Sequence, residues 1–176
     1  RAISAGTELA MTRSLSYKTV NGVAKAINSP TDSFYNASGE ITDADKLQSE
    51  TYYYGSIRGD EIAHYAYNMR LSTTSVRNVS VYYYDDKTAD QDGVTSDTKM
   101  NMSKTFKTGS FDSIVDIGEA GTPNLQSTTY YQGDKGDEVS DYSLNYQVGT
   151  STIKNTSVFV YGDTFLRAIS AGTELA

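Results

Sequence analysis

The sequence predicts an all-β sandwich of about eight strands. Two observations carry that expectation: apolar residues alternate with period two, and the composition favours pleated surfaces. Helical periodicity scarcely appears, so a period of two is the dominant pattern. The aromatic residues are 15 Tyr and 5 Phe with no Trp. Tyr and Thr suit half-buried strand positions, where a side chain packs against its cross-strand neighbours.

The strands can be taken in order. Asn21-Gly22 lies between SLSYKTV and VAKAIN, and Asn-Gly is a strong two-residue hairpin signal because both residues tolerate positive φ. Such a turn sets Lys18 against Lys25, a like-charge pair that weakens it. A short helix is expected over 42–48, capped by Thr42 with Asp45 three residues on. Tyr65, Tyr67, Met69 and Leu71 then alternate with Ala66, Asn68 and Arg70, and Val79, Val81 and Tyr83 continue the pattern. Further strands are expected over 100–106, 111–117, 128–132 and 157–165. The clearest is 139–148, with Tyr142, Leu144, Tyr146 and Val148 on one face and Ser143, Asn145 and Gln147 on the other. Loops are expected where Gly, Asp and Ser cluster, at 29–39, 85–97, 118–124 and 133–137.

Composition narrows the function. With 38% hydrophobic and 21% charged residues the chain is able to bury a core. Zero Cys removes disulfides, thiolate zinc sites and thiol nucleophiles, and is in keeping with a prokaryotic exterior. A net charge of -7 opposes phosphate binding, so no nucleic-acid partner is expected. No run approaches the roughly 20 apolar residues that span a bilayer. The absence of an initiator Met or cleavable leader reads as a mature or excised piece.

The repeat is the most informative feature. RAISAGTELA occupies residues 1–10 and again residues 167–176, an offset of 167 − 1 = 166 residues. The chain therefore divides into a terminal strand segment (1–10), a sandwich domain (11–166) and a second copy of the segment (167–176). Ile3, Ala5, Thr7 and Leu9 share one face of an extended segment, as do Ile169, Ala171, Thr173 and Leu175 in the duplicate. Gly6 and Gly172 permit close backbone approach. Ten extended residues span roughly 33 Å, and burying Ile3 or Leu9 contributes about 1.5–3 kcal/mol each.

In assembly logic this pattern resembles the pilin-like subunits of extracellular fibres that use donor-strand complementation. The resemblance implies an Ig-like or jelly-roll sandwich completed by a terminal strand, head-to-tail partners that are copies of the chain itself, and an extracellular or cell-surface location. Its mechanism is strand addition to an open sheet edge. Two other readings stay open: one repeat of a covalent tandem-repeat surface adhesin, or one physical segment written twice.

Other candidates are weaker. Asp85, Asp86, Asp90, Asp92 and Asp97 form an oxygen-rich loop of the kind that holds calcium. An EF-hand register fails, because placing Asp92-Gly93 at its fifth and sixth positions puts Thr88 first and Lys99 twelfth. Asn36, Asn78, Asn101 and Asn155 each begin an Asn-X-Ser sequon. Arg58-Gly59-Asp60 spells a tripeptide of low information, and His64, the sole His, has neither a triad nor a metal cluster around it. Tyr52–Tyr54, Tyr82–Tyr84 and Tyr130-Tyr131 suit either core packing or stacking on sugar rings, so a carbohydrate-binding module is the non-assembly alternative. Ser151-Thr-Ile-Lys154 and Lys107-Thr-Gly109 echo penicillin-recognising motifs in the wrong order and spacing. No enzyme activity and no organic cofactor are expected.

Overall fold

The computed structural model describes residues 8–19, 21, 23–25, 34–107 and 124–171. The chain is all-β and antiparallel, a sandwich-like architecture with strands in place of almost all helix. It forms two compact units, Arg1–Arg77 and Asn78–Ala176.

In the first unit β1 (Arg13–Tyr17) pairs with β2 (Leu47–Tyr54), and β2 with β3 (Ile62–Met69). Leu47, Ile62, Ala66 and Met69 are buried, together with the carboxylate residue Glu50. Two alternate rows across the three strands are Arg13, Tyr52 and Tyr65, and Leu15, Glu50 and Tyr67. A stretch with Gly55 and Gly59 at positive φ joins β2 to β3.

The second unit takes most of β4 (Val76–Tyr84), then β5 (Lys87–Thr88), β6 (Met100–Lys107), β7 (Leu125–Gln132), β8 (Val139–Tyr146) and β9 (Ile153–Val158). Its strand order is β4-β6-β7-β8-β9, with β5 hydrogen-bonded to β4. Val79, Val81 and Tyr83 on β4 and Met102 and Phe106 on β6 are buried at alternate positions, the expected period of two. Asp85 and Asp86 have φ of 48° and 67° between the paired Tyr84 and Lys87. Positive φ at both central residues is the signature of a type I′ hairpin, whose twist matches that of its strands.

Six of the ladders share one irregularity. In β1–β2, β2–β3, β4–β6, β6–β7, β7–β8 and β8–β9 the register slips by one, and the residue skipped is Gln48, His64, Asn101, Gln126, Asp141 and Lys154 in turn. A bulge of this kind re-aims a side chain and reverses the faces beyond it. All six skipped residues are polar, yet Asp141 is the one that is buried.

Several expectations are corrected. Residues 42–48 are not a helix: Lys46 takes φ of 61° and Leu47, 0% exposed, opens β2. The Asp43 carboxylate accepts the Asp45 N–H and pairs with Lys25, a local turn that competes with helix formation. β1 pairs with β2, with Lys18 N–H donating to the Lys46 carbonyl, and the expected Asn21-Gly22 hairpin lies partly outside the described residues. The last strand is Ile153–Val158, and residues 159–166 turn back through a bridge between Tyr161 and Leu166. The expected strand over 111–117 lies outside the described residues. Among the described residues no helix is long and apolar enough to cross a membrane.

Gly133 has φ of 121°, and a Cβ there would lie 2.4 Å from the Asp137 carbonyl oxygen. Gly136 has φ of 94° but open space around it. Both Ala substitutions incur about 1–3 kcal/mol of backbone strain. Gly133→Ala additionally forces the backbone apart, so its urea midpoint is expected to fall clearly below that of Gly136→Ala.

Candidate functional site

The most constrained polar group of the second unit is Asp141. It is 1% exposed and is the residue that the β7–β8 register skips, between the pairs Tyr130–Tyr142 and Tyr131–Ser140. A buried carboxylate is tolerated only with a charge partner and hydrogen bonds. Both come from the start of the second decapeptide. Arg167 donates from Nε to Asp141 Oδ1 at 3.1 Å and from Nη2 to Oδ2, a two-pronged geometry suited to a planar guanidinium. The Ile169 N–H adds a longer contact to Oδ1 at 3.5 Å. The Arg167 guanidinium also lies 5.5 Å from the Tyr142 ring centre, within cation–π range. Hydrogen bonding to Asp141 holds the Arg167 pKa above its usual value.

Neighbouring groups complete the clamp. Ala168 is buried, the Tyr161 hydroxyl donates to the Ser140 carbonyl at 2.6 Å, and the Phe159 N–H donates to the Asp141 carbonyl at 3.0 Å. The decapeptide then continues as α1 (Ala168–Ala171), a single helical turn packed on β7 and β8. This differs from the extended conformation expected of it. Ala168 and Ala171 are strong helix formers, and with the Arg167 anchor they hold one turn despite the β-branched Ile169 between them.

The other decapeptide residues are placed as follows. Ile169 is 60% exposed on α1, and Leu9 is 64% exposed ahead of β1. Ala171 belongs to α1, whereas Ile3, Ala5, Gly6, Thr7, Gly172, Thr173 and Leu175 lie outside the described residues. Just after the first copy, the Met11 N–H donates to Glu61 Oε1 at 2.7 Å, which holds the Glu61 carboxyl below its ordinary pKa.

Beside the clamp runs an open edge. All six residues of β9 are exposed, and among the described residues β9 pairs with β8 alone. Ile153, Val158, Phe159 and Val160 expose apolar surface along it, 38% to 53% of each residue. Uncovered edges with apolar side chains invite pairing with another strand.

The first unit holds an aromatic cluster that the sequence showed only as separate tyrosines. Tyr52 stacks on Tyr65 at 4.5 Å between ring centres, and Tyr67 meets both edge-on. The Arg13 guanidinium lies over Tyr52 at 4.7 Å and Tyr35 at 5.4 Å. Below them the buried Glu50 accepts from the Tyr35 hydroxyl at 2.9 Å and pairs with Arg13 at 3.4 Å. Burial and the Glu50 charge push the Tyr35, Tyr52 and Tyr67 pKa values up, and burial pushes Tyr65 up to about 12. The same unit has a cavity of about 400 Å³ lined by Ser16, Ser49, Asn68, Lys18, Arg70 and Arg77, donor chemistry suited to an anion.

Of the remaining sequence candidates, Asp85 and Asp97 line one surface pocket together with Asp134. Asp85 and Asp86 form the hairpin turn, and Asp86 exchanges hydrogen bonds with Asn101. Asp90 accepts from the Thr88 hydroxyl, and the Asp92 carbonyl accepts from Lys87. Among the described residues no group of three or more acidic or His side chains is placed to hold a metal ion. Asn36 and Asn155 are exposed, with Asn36 tied to Ser38 and Glu40 and Asn155 to Asn145. Asn78 and Asn101 are half-buried. His64 packs edge-on to Tyr54 and Tyr65, and Arg58-Gly59-Asp60 forms an exposed turn. Tyr83 and Tyr84 are core residues, and Tyr130 stacks on Tyr142 at 4.6 Å.

Comparison with known proteins returned no matching family model, no matching curated protein and no matching solved structure. The functional reading therefore rests on this geometry and on the repeat.

Two outcomes follow from it. Arg167→Ala strands a buried carboxylate, whereas Asp141→Asn leaves a neutral amide that still hydrogen-bonds, so Arg167→Ala is expected to lower the urea midpoint further. The raised tyrosine pKa values mean that the folded state favours the neutral phenols. That contribution is complete below pH about 10 and is lost as pH climbs through the folded values. An absorbance titration at alkaline pH should show a late-ionising tyrosine class, and Glu50→Gln should shift that class downward.

Proposed function

We propose that this chain is a structural subunit of an extracellular, self-assembling fibre, joined end to end by insertion of the RAISAGTELA segment into a neighbouring copy. The observation that carries this reading is the identity of residues 1–10 and 167–176 at an offset of 166. A ten-residue segment that recurs intact at this spacing is the one through which copies would meet. The β9 edge supports the reading, since it offers unpaired backbone groups and exposed apolar side chains to an added strand. Each added ladder bond contributes roughly 0.5–1.5 kcal/mol, and the apolar contacts add to this.

Denaturing electrophoresis with intact-mass measurement of native material tests the proposal. Polymers that boil down to single subunits are expected. A ladder at multiples of 166 residues would instead mark a covalent tandem array, in which the second copy opens the next domain. Leu9→Lys and Gly6→Val are expected to abolish polymer in light scattering while leaving the β-sheet circular dichroism unchanged. Normal polymer from both variants would rule out insertion.

A further inference from the structure

We infer that the bulge at Asp141 is an acceptor for the arginine that opens the decapeptide, and that in the assembled state its occupant is Arg1 of a second copy. The inference rests on the end-to-end reading and names the contact by which one copy selects the next.

The features recognised at the site are few. They are the Arg167 guanidinium fork, the buried Ala168 and the Ile169 N–H. Arg1-Ala2-Ile3 has the same three residues in the same order. An acceptor built for one is chemically built for the other, and only the tether differs. Arg167 reaches the site through residues 159–166, a turn with Gly162 and Phe165 at positive φ and with Phe165 74% exposed.

Occupant and acceptor are unequally buried. The Arg167 side chain is 44% exposed and that of Asp141 is 1% exposed. The arginine can leave towards solvent while the carboxylate stays in its bulge and requires a replacement. The chain's own second copy therefore acts as a cap that an incoming Arg1 displaces. A short tether gives its segment an effective concentration in the millimolar range. Self-capping thus dominates in dilute subunits, and exchange is favoured when copies are crowded or the cap is weakened. The site also lies where β9 ends, since the Asp141 carbonyl accepts from Phe159 immediately after that strand. An arginine held there delivers the residues behind it to the open edge.

The test is a titration of full-length chain with a fluorescently labelled synthetic RAISAGTELA peptide. Arg167→Ala is expected to bind the peptide saturably, with wild type at least tenfold weaker because its cap competes. Binding should be lost in the Arg167→Ala, Asp141→Asn double variant, and a peptide with Ala in place of its Arg should not bind. Equal binding by the double variant, or by the Ala peptide, overturns the inference. So does failure of Arg167→Ala to bind while its circular dichroism matches wild type. Should Arg167→Ala not fold, Arg167→Lys keeps the charge but loses the fork; a several-fold gain over wild type supports the acceptor, and no gain overturns it. Polymers that form normally in Asp141→Asn would overturn the acceptor and spare the fibre reading. Peptide capture by a chain that never polymerises would do the reverse.

Discussion

A carboxylate removed from water loses several kcal/mol of hydration unless a charge partner and hydrogen bonds replace it, and the end of this chain is organised around that requirement at Asp141. The skipped position in β8 turns the side chain inward, and nothing else in β7 or β8 supplies a cation to it. The chain answers from a distance of 26 residues, folding back after β9 to bring Arg167 onto both carboxylate oxygens. The turn at Tyr161–Leu166, the burial of Ala168 and the single turn of α1 follow from that placement. Residues 168–171 are thereby held against β7 and β8, and among the described residues β9 keeps one open edge.

The first unit meets the same constraint differently. Glu50 is buried among tyrosines, and its charge is shared between the Tyr35 hydroxyl and Arg13. Here the guanidinium lies over aromatic faces, and the rings of Tyr52, Tyr65 and Tyr67 pack against one another.

The sequence reading recovered the strands that alternate cleanly and lost those whose alternation is interrupted. Val79, Val81 and Tyr83 are inward as expected. In β2 the inward residues are Leu47 and Glu50, and Thr51 and three tyrosines follow, a pattern without period-two apolar contrast. In β8 the alternation holds, but the bulge exchanges the faces: Asp141 and Ser143 are buried, and Tyr142 and Leu144 are half-buried. A one-residue slip inverts every side chain beyond it, and no local pattern announces where it occurs. Asp141 accordingly carries no local signal, although its partner Arg167 stands at the head of the repeated segment.

By itself the sequence determined the β character, through period-two alternation and Tyr-rich composition, and the 166-residue spacing of the decapeptide, because both are local or literal properties of the string. Tertiary structure alone decided the strand partners, the bulges and the pairing of Arg167 with Asp141. Those are choices among distant groups, settled by which buried charges and backbone polar groups are satisfied at once. Residue spacing along the chain carries no information about that competition.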